Sequence, residues 1–320
     1  MLDVIVWSAT VPATGWAAIR LTGAEPGIRG IQLLAFTPYV AGLALVPLLL
    51  ACGLRRWWPA ALAAVTTVAL AGGVLPRGLP DLDRGPIRSG GPTLRVMSSN
   101  MLFGGADATR IVALVRDNQV DLLALQEYTV ESERALAAAG LGELLRYRAA
   151  YPRDGVIGSA LYARHPLTEP ALRQHAASGF GQAAAVLTVP GAAPVDVESE
   201  HPAAPSDPGT EVLWRSDYTD LPGATPDGRL RILLGDFNAT LDHATLRRLI
   251  ATGYRDAADV TGSGLATTWP YDGQRVPPVT IDHVLADRRI GVRTVSTHLV
   301  PDADHRAVIA TLTLPPGDAG

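Results

Sequence analysis

The sequence contains no lysine and a single cysteine, and these absences bear on which bonds and which ligands the chain can have. The lone Cys52 excludes a disulfide within the chain. All strongly basic side chains are arginines, and from Gly78 onward 22 arginines face 29 aspartates and glutamates, so that this part is net acidic. An acidic domain is not typical of a strong sequence-independent nucleic-acid binder, whose affinity comes mainly from neutralised phosphates.

Charge is also scarce in the first 76 residues, which carry only Asp3, Arg20, Glu25, Arg29, Arg55 and Arg56. Ile31–Cys52 is uncharged over 22 residues, enough to span the roughly 30 Å of a bilayer core. Pro59–Leu75 is a second uncharged run, and Val4–Ile19 is a third candidate, interrupted by Pro12 and Gly15. No basic segment precedes these runs and they recur along the chain, which disfavours a cleaved signal peptide. Residues 1–76 are therefore predicted to hold two to three transmembrane helices.

The turn between Ile31–Cys52 and Pro59–Leu75 predicts the membrane orientation. It reads Arg55-Arg56-Trp57-Trp58, an arginine pair next to aromatic residues of the kind found at a membrane surface. The positive-inside tendency puts this turn in the cytoplasm. We therefore predict a multi-pass protein of the cell membrane whose C-terminal domain is extracytoplasmic.

The rest of the chain divides by composition and apolar pattern. Residues 77–92 are rich in Pro, Gly, Asp and Arg and are predicted to be a linker, 93–316 a catalytic domain and 317–320 a tail. The domain begins with a strand (94–99), a helix (108–118) that Asp107 can cap, and a buried strand (122–126). Later segments are mostly strand-like, so the expected class is α/β or α+β with mixed sheets.

The stretch Arg231–Asp242 organises the candidate site. Its apolar run 232–234 predicts a buried strand, and Asp236 and Asn238 follow two residues apart, a spacing that points both side chains to one side of an extended backbone. The alternative is an Asx-rich turn whose polar residues only cap the helix that begins near His243.

Other polar residues lie at or within apolar strands across the domain: Asn100, Glu127, His201, Asp282, Asp304 and His305. Such repetition suggests convergence on one cleft, because ligand sites in sheets usually lie outside strand ends. Glu127, Asn100 and Asp304 offer hard oxygen ligands that suit Mg²⁺ or Mn²⁺, and no Cys/His cluster offers a zinc site.

These motifs resemble those of the endonuclease/exonuclease/phosphatase superfamily, and the chain looks like a membrane-anchored bacterial-type member. The matching pieces occur in family order between Leu94 and Leu314: Ser99-Asn100, Leu125-Gln126-Glu127, His201, Gly235-Asp236-Phe237-Asn238, Ile281-Asp282-His283 and Asp304-His305-Arg306. The resemblance implies an α/β (α+β) four-layer sandwich, with two mixed β-sheets face to face and helices outside.

The resemblance also implies roles for the residues. Glu127 would be the principal metal ligand, with Asn100 close to the metal or phosphate and Asp304 an outer metal contact. Asp236 would deprotonate or orient the attacking water. Asn238, His201 and His305 would contact the phosphate, and Asp282 would fix the tautomer and charge of His305. The implied activity is hydrolysis of a phosphodiester or phosphomonoester by in-line attack of activated water, with Mg²⁺ or Mn²⁺.

The sequence leaves the substrate class open among a lipid head group, a nucleic acid and a small phosphate ester. The other expected partner is the lipid bilayer, with no obligate protein partner evident. A catalytically inactive ligand- or partner-binding membrane protein of the same fold is the alternative function. Two departures from the family, an acidic Glu198-Ser199-Glu200 strand and a short segment between His201 and Asp236, argue against a nuclease that grips duplex DNA.

The remaining histidines and one tryptophan carry weaker expectations. The sequence predicts surface positions for His165, His175, His243 and His298, and a side chain on the opposite face from Asp282 for His283. For Trp269, stacking on a substrate and plugging the sheet edge are equally compatible with the sequence.

Overall fold

Two mixed β-sheets face each other at the centre of the C-terminal domain, which the sequence predicted to be catalytic. The computed structural model describes residues 2–83, 91–271 and 275–317. The strands are β1 (Thr93–Asn100), β2 (Leu122–Gln126), β3 (Tyr147–Tyr151), β4 (Ser159–Ala163), β5 (Leu167–Gln174), β6 (Gly181–Leu187), β7 (Val195–Glu200), β8 (Leu230–Asp236), β9 (Tyr254–Asp256), β10 (Asp282–Asp287), β11 (Gly291–His298) and β12 (Ala307–Thr313). Within the described residues they form two six-stranded sheets, in the orders β11-β12-β1-β2-β4-β3 and β5-β6-β7-β8-β10-β9.

The helices flank the sheets and also form an N-terminal bundle. They are α1 (Leu2–Thr22), α2 (Gly27–Leu34), α3 (Thr37–Leu43), α4 (Leu45–Gly53), α5 (Trp57–Val74), α6 (Ala108–Asp117), α7 (Val130–Ala138), α8 (Leu141–Leu144), α9 (Pro208–Asp220), α10 (Ala244–Ala251) and α11 (Ala257–Val260). Helix α6 begins where the sequence predicted, because the Asp107 side chain accepts hydrogen bonds from the backbone of Thr109 and Arg110.

Three apolar layers hold the domain together. Side chains such as Val96, Leu122 and Leu234 fill the space between the two sheets. A second layer joins the first sheet to α6–α8, and a third, around Trp214 and Leu246, joins the second sheet to α9 and α10. The result is a four-layer sandwich of helices, sheet, sheet and helices, which confirms the predicted fold class.

One parallel pair in each sheet brings the candidate site together. Strands β1 and β2 run parallel, as do β7 and β8, and the other pairs are antiparallel. Parallel neighbours end at the same edge, so the residues that follow each pair lie close together. Gln126 and Ser199 join the sheets near that edge, where Gln126 Nε2 donates to Ser199 Oγ at 2.9 Å.

The N-terminal helices differ from the predicted runs. Two segments, Asp3–Thr22 and Trp57–Gly78, are long and apolar enough to cross a membrane. The run predicted as one span, 31–52, is bent by 70° between Gly27–Leu34 and Thr37–Gly53, and this pair is a third candidate if it forms one span. Ile31, at the start of this run, is fully buried in the same apolar cluster as Trp214 of the C-terminal domain. Its apolarity serves a contact between the helices and the domain.

Part of the predicted linker also lies against the catalytic domain. A 3₁₀ turn covers Leu75–Gly78, Arg77 is buried, and Asp81 N donates to Val260 O at 3.0 Å. Residues 84–90 of the predicted linker and 318–320 of the predicted tail lie outside the described residues.

Candidate active site

The polar residues singled out from the sequence lie at one edge of the two sheets. Asn100 ends β1, Glu127 directly follows β2, His201 directly follows β7 and Asp236 ends β8. Strand β10 pairs antiparallel with β8, so that Asp282 lies opposite Asp236.

Asn100 links the two sheets at this edge. Its Nδ2 donates to Glu127 Oε1 and to Asp236 Oδ2, both at 3.1 Å, and its Oδ1 accepts from the backbone of Leu102 at 2.9 Å. The amide therefore presents its nitrogen, not its oxygen, to the two carboxylates. It holds them close together, where their like charges would otherwise repel each other.

Glu127 is held in an uncommon backbone conformation with a φ of 54°. Its Oε2 accepts from the backbone of Phe103 at 2.7 Å. Leu102 and Phe103 also have positive φ, as does Asn238 across the site. Positive φ in non-glycine residues is costly and gathers at functional sites. Burial raises the pKa of Glu127, although the bonds from Phe103 and Asn100 act in the opposite direction.

His305 lies between two carboxylates. Its Nδ1 is 2.9 Å from Asp282 Oδ2, and its Nε2 is 3.6 Å from Asp236 Oδ2. Burial lowers the pKa of His305, but the charges of Asp282 and Asp236 outweigh burial and raise it to about 10. His305 is therefore an imidazolium at neutral pH, with its Nε2 directed toward Asp236.

His201 approaches the same carboxylate from the other sheet. Its Nε2 is 3.6 Å from Asp236 Oδ2 and 3.9 Å from Glu127 Oε1, and its ring packs on Phe180 with centroids 5.2 Å apart. Burial lowers the pKa of His201, although Asp236 acts against this. One neutral and one charged histidine thus face Asp236.

Asn238 fixes the orientation of Asp236 through its backbone. Asn238 N donates to Asp236 Oδ1 at 2.9 Å, and its side-chain Nδ2 donates to Pro202 O at 3.0 Å. Trp214 Nε1 in turn donates to Asn238 O at 3.1 Å, and Tyr218 OH donates to Phe237 O at 2.8 Å. These two aromatic residues, which sequence reasoning did not assign to the site, hold the backbone that carries Asn238.

Asp304 and Trp269 form one wall of the site. Trp269 Nε1 donates to Asp304 Oδ2 at 2.9 Å, and the Trp269 ring centroid is 6.4 Å from that of His305. Asp304 Oδ1 is 3.9 Å from His305 Nε2. The half-buried indole therefore lies beside the site, where the sequence alone did not place it.

The site is rich in buried negative charge. Among the described residues, the ion pairs of Glu127 and Asp236 are with the two histidines, and no arginine pairs with either carboxylate. Ligand atoms of Asp236, Asp282 and His305 also lie within 4.8 Å of one another, but a protonated His305 has no free lone pair to offer a metal, so the carboxylate oxygens are the donors that remain. Oxygen donors and excess negative charge are the features that hard divalent cations require.

Of the expectations for residues outside the cluster, two need correction and one agrees with the structure. His175 and His243, predicted to lie at the surface, are 1% and 2% exposed. Burial lowers the pKa of His175 to about 4. His243 is wedged between the domain and α2, where its Nε2 donates to Ile31 O at 2.9 Å. His283 packs away from Asp282, as predicted from strand alternation, and its Nδ1 is 2.7 Å from Asp256 Oδ2.

The acidic strand before His201 does not point into the site. Ser199 faces the other sheet, where its Oγ donates to Leu125 O at 3.1 Å, so Glu198 and Glu200 project from the opposite face of β7. Arg173 pairs with both carboxylates there. Burial raises the pKa of Glu200 well above its usual value, and neighbouring Glu198 raises it further.

Comparison with known proteins assigns the chain to a family. The sequence model of the Endonuclease/Exonuclease/phosphatase family matches residues 97–305, which include every residue of the cluster described above. The chain belongs to the endonuclease/exonuclease/phosphatase family. Members of this family are phosphoesterase hydrolases that generally use divalent metals. No curated protein matches the chain significantly.

Solved structures share the fold of this chain. An endonuclease/exonuclease/phosphatase from Beutenbergia cavernae superposes with a TM-score of 0.55 at 19% identity, over 69% of this chain and 72% of that one. A humanized TDP2 from D. rerio gives a TM-score of 0.56 at 15% identity, over 69% of this chain and 99% of that one. The D. rerio TDP2 complexed with a single-strand DNA product gives 0.55 at 15% identity, over 69% and 99%.

Proposed function

We propose that this chain is a membrane-tethered, metal-dependent phosphoesterase that hydrolyses a phosphodiester or phosphomonoester by in-line attack of activated water. One observation carries the proposal. Asp236 Oδ2 lies 3.1 Å from Asn100 Nδ2 and 3.6 Å from the Nε2 atoms of both His201 and His305. A buried carboxylate surrounded by these donors, with Glu127 next to it, can orient a nucleophilic water beside a phosphate and accept its proton.

The donor set fits a divalent cation. Glu127 would hold the metal, Asp304 would add a further oxygen, and Asn100 would keep Glu127 and Asp236 in position through the bonds from its Nδ2. Burial raises the pKa of Glu127, which means that its negative charge lacks full compensation from the protein. The hard oxygen donors favour Mg²⁺ or Mn²⁺, which when bound would polarise the phosphate and stabilise its developing charge.

Asp236 would orient the attacking water and accept its proton. Burial raises the pKa of Asp236, which makes it a better proton acceptor than an exposed aspartate, although the nearby His305 and His201 act in the opposite direction. The bond from Asn238 N to Asp236 Oδ1 leaves Oδ2 directed at the two histidines. A water held at Oδ2 therefore lies where a phosphate bound by those histidines would be attacked.

The phosphate itself would be held by two different histidines. Charged His305 would donate from Nε2 to a phosphoryl oxygen, and Asp282 would hold the proton on its Nδ1. Neutral His201 and the second N–H of Asn238 would donate to other oxygens. Fixed donors aimed at the developing charge are an effective source of transition-state stabilisation.

The helical region would cross the membrane three times. Arg56 Nε lies 3.1 Å from Asp3 Oδ1, so the start of α1 and the turn before α5 are together at one end of the bundle. Arg20 and Arg77, near the other ends of α1 and α5, both reach the catalytic domain at Asp242. Thr37–Gly53 returns the chain between these ends. By the positive-inside tendency the Arg56 end is cytoplasmic, which puts the catalytic domain on the extracytoplasmic side of the membrane.

The proposed division of the chain remains the one that the sequence predicts. Residues 1–76 would be the membrane region and 93–316 the catalytic domain, with the catalytic site held close to the lipid surface. Tethering favours a phosphate ester presented at that surface, such as a lipid head group. The net acidic domain and the short segment before Asp236 disfavour duplex DNA. Because the whole residue set is present and clustered, hydrolysis is favoured over ligand binding alone.

The test is a substrate panel on the purified full-length protein in detergent. It contains bis(p-nitrophenyl) phosphate, p-nitrophenyl phosphate, phospholipid in mixed micelles and single-stranded DNA, each with Mg²⁺, Mn²⁺, Ca²⁺ or EDTA. We expect hydrolysis that EDTA abolishes and that Mg²⁺ or Mn²⁺ restores. Hydrolysis unaffected by EDTA, or binding of the phosphate esters without any turnover, would contradict the proposal.

A further inference from the structure

Asp242 lies where the N-terminal helices contact residues 237–243, the segment after β8 that we call the catalytic loop. Its side chain is 0% exposed, and its Oδ1 lies 2.6 Å from both Arg20 Nε and Arg77 Nη2. Arg77 Nη1 also donates to Asp242 Oδ2 at 2.8 Å, so the Arg77 contact is bidentate. Bidentate arginine–carboxylate pairs fix geometry as well as charge. Burial acts to raise the pKa of Asp242, but the bonds and charges of Arg77 and Arg20 outweigh it and lower that pKa.

The backbone around Asp242 is bound to the same helices. His243 Nδ1 accepts from Thr240 N at 2.9 Å, so its Nε2 carries the proton that it donates to Ile31 O. Arg247 Nη1 donates to Asp242 O at 2.5 Å, and its Nη2 donates to Arg20 O at 3.1 Å. Arg247 thus connects the backbone carbonyl of Asp242 to that of Arg20 in α1, and the side chain of His243 connects the loop to Ile31 in α2.

The loop that these contacts hold begins at the proposed catalytic aspartate. Residues 237–243 leave β8 immediately after Asp236, and they contain Asn238, whose backbone fixes Asp236 and whose φ is 46°. One end of the loop is therefore attached to the catalytic strand and the other to the helical bundle. A positive φ at Asn238 persists only where the surroundings impose it.

We propose that Arg20 and Arg77 act through Asp242 as positioning residues for the catalytic loop, so that the N-terminal helices form part of the catalytic unit in addition to anchoring it. The ion pairs hold 237–243 in the conformation that directs Asn238 and Asp236 at the substrate. The expected effect on the rate of hydrolysis rests on the proposed function. The expected effect on the conformation of residues 237–243 does not.

Two full-length variants and a matched control test the proposal. Asp242→Asn keeps the shape but places an amide nitrogen against one of the two N–H groups of Arg77. Arg77→Lys keeps the charge and removes the bidentate contact. The control is Asp121→Asn, because Asp121 is also a buried carboxylate paired with an arginine, Arg164 at 3.0 Å, but it lies before β2, at the opposite end of that strand from Glu127.

The first readout is hydrogen–deuterium exchange of the full-length protein in detergent, which requires no knowledge of the substrate. We expect loss of protection at the amides of 237–243 in Asp242→Asn, a smaller loss in Arg77→Lys, and none there in Asp121→Asn. Wild-type protection of this segment in both variants would overturn the proposal.

The second readout is turnover of the substrate that the panel yields. Misplacing a catalytic group by about 1 Å can cost on the order of 10²-fold in rate, so we expect kcat of Asp242→Asn to fall by this order while KM changes little. A purely structural ion pair would lower the melting temperature and leave kcat of the folded protein unchanged, which would overturn the proposal. An inactive wild-type protein would instead contradict the proposed function, and the exchange readout would still decide the role of the loop.

Discussion

The contact between His305 and Asp282 gives a prediction whose size follows from the structure. The two groups are buried, and His305 Nδ1 lies 2.9 Å from Asp282 Oδ2. A hydrogen bond to a charged group contributes about 1.5–3 kcal/mol. If that contribution is realised in the transition state, Asp282→Ala should lower kcat/KM by roughly 10- to 150-fold. Asp282→Asn should lose less, because it keeps an acceptor for Nδ1 and removes only the charge.

The measurement is a double-mutant cycle in kcat/KM with His305→Ala. If Asp282 acts only through His305, adding Asp282→Ala to His305→Ala should cause little further loss, and the two effects should be strongly non-additive. Metal dependence of each variant should match that of the wild type, since neither residue is proposed to hold the metal. Losses that multiply in the double variant would refute the proposed pair.

The remaining predictions concern the metal, the membrane and acid stability. Glu127→Gln weakens the proposed metal site, so part of its lost activity should return at high Mg²⁺ or Mn²⁺, and a deficit independent of metal concentration would contradict that role. A reporter that is active only in the cytoplasm should be silent when fused after the last residue, whereas strong activity would reverse the proposed orientation. The pKa of Asp242 is lowered in the folded protein, so its stabilising contribution is present above the unfolded value of about 3.9 and is lost as pH falls below it. The difference in melting temperature between the wild type and Asp242→Asn should therefore shrink as the pH is lowered from 6 toward 3, and a constant difference would argue against the ion pairs.

The centre of the fold could be predicted because its strands are buried on both faces. Residues 232–234 read as an apolar run, and all three are fully buried, Ile232 and Leu234 between the two sheets and Leu233 between sheet and helices. The polar residues that end such strands stand out against this background. The pattern fails at the edges, where β5 is exposed along most of its length and β9 has three residues. Neither offers enough apolar alternation to be recognised.

Contacts between distant parts of the chain were beyond the reach of local patterns. The apolar run that contains Ile31 indicated a membrane span, yet Ile31 is buried in the same apolar cluster as Trp214 of the C-terminal domain. His243 looked like a surface histidine because its partner, the carbonyl of Ile31, is 212 residues away. The partners of Asp242 are 222 and 165 residues away, and nothing near Asp242 in the sequence indicates them. A local apolar pattern indicates that a segment is buried, but it does not indicate which distant segment covers it.

The most direct test of the proposed mechanism is the rate of Asp236→Asn at saturating substrate and metal. The substitution keeps the shape of the side chain and removes its charge and basicity, and the loss of a general base typically costs ~10²–10⁴-fold in rate. We predict a fall in kcat within that range, with metal binding and substrate binding largely retained. A kcat equal to that of the wild type would contradict the assignment of Asp236, and with it the mechanism.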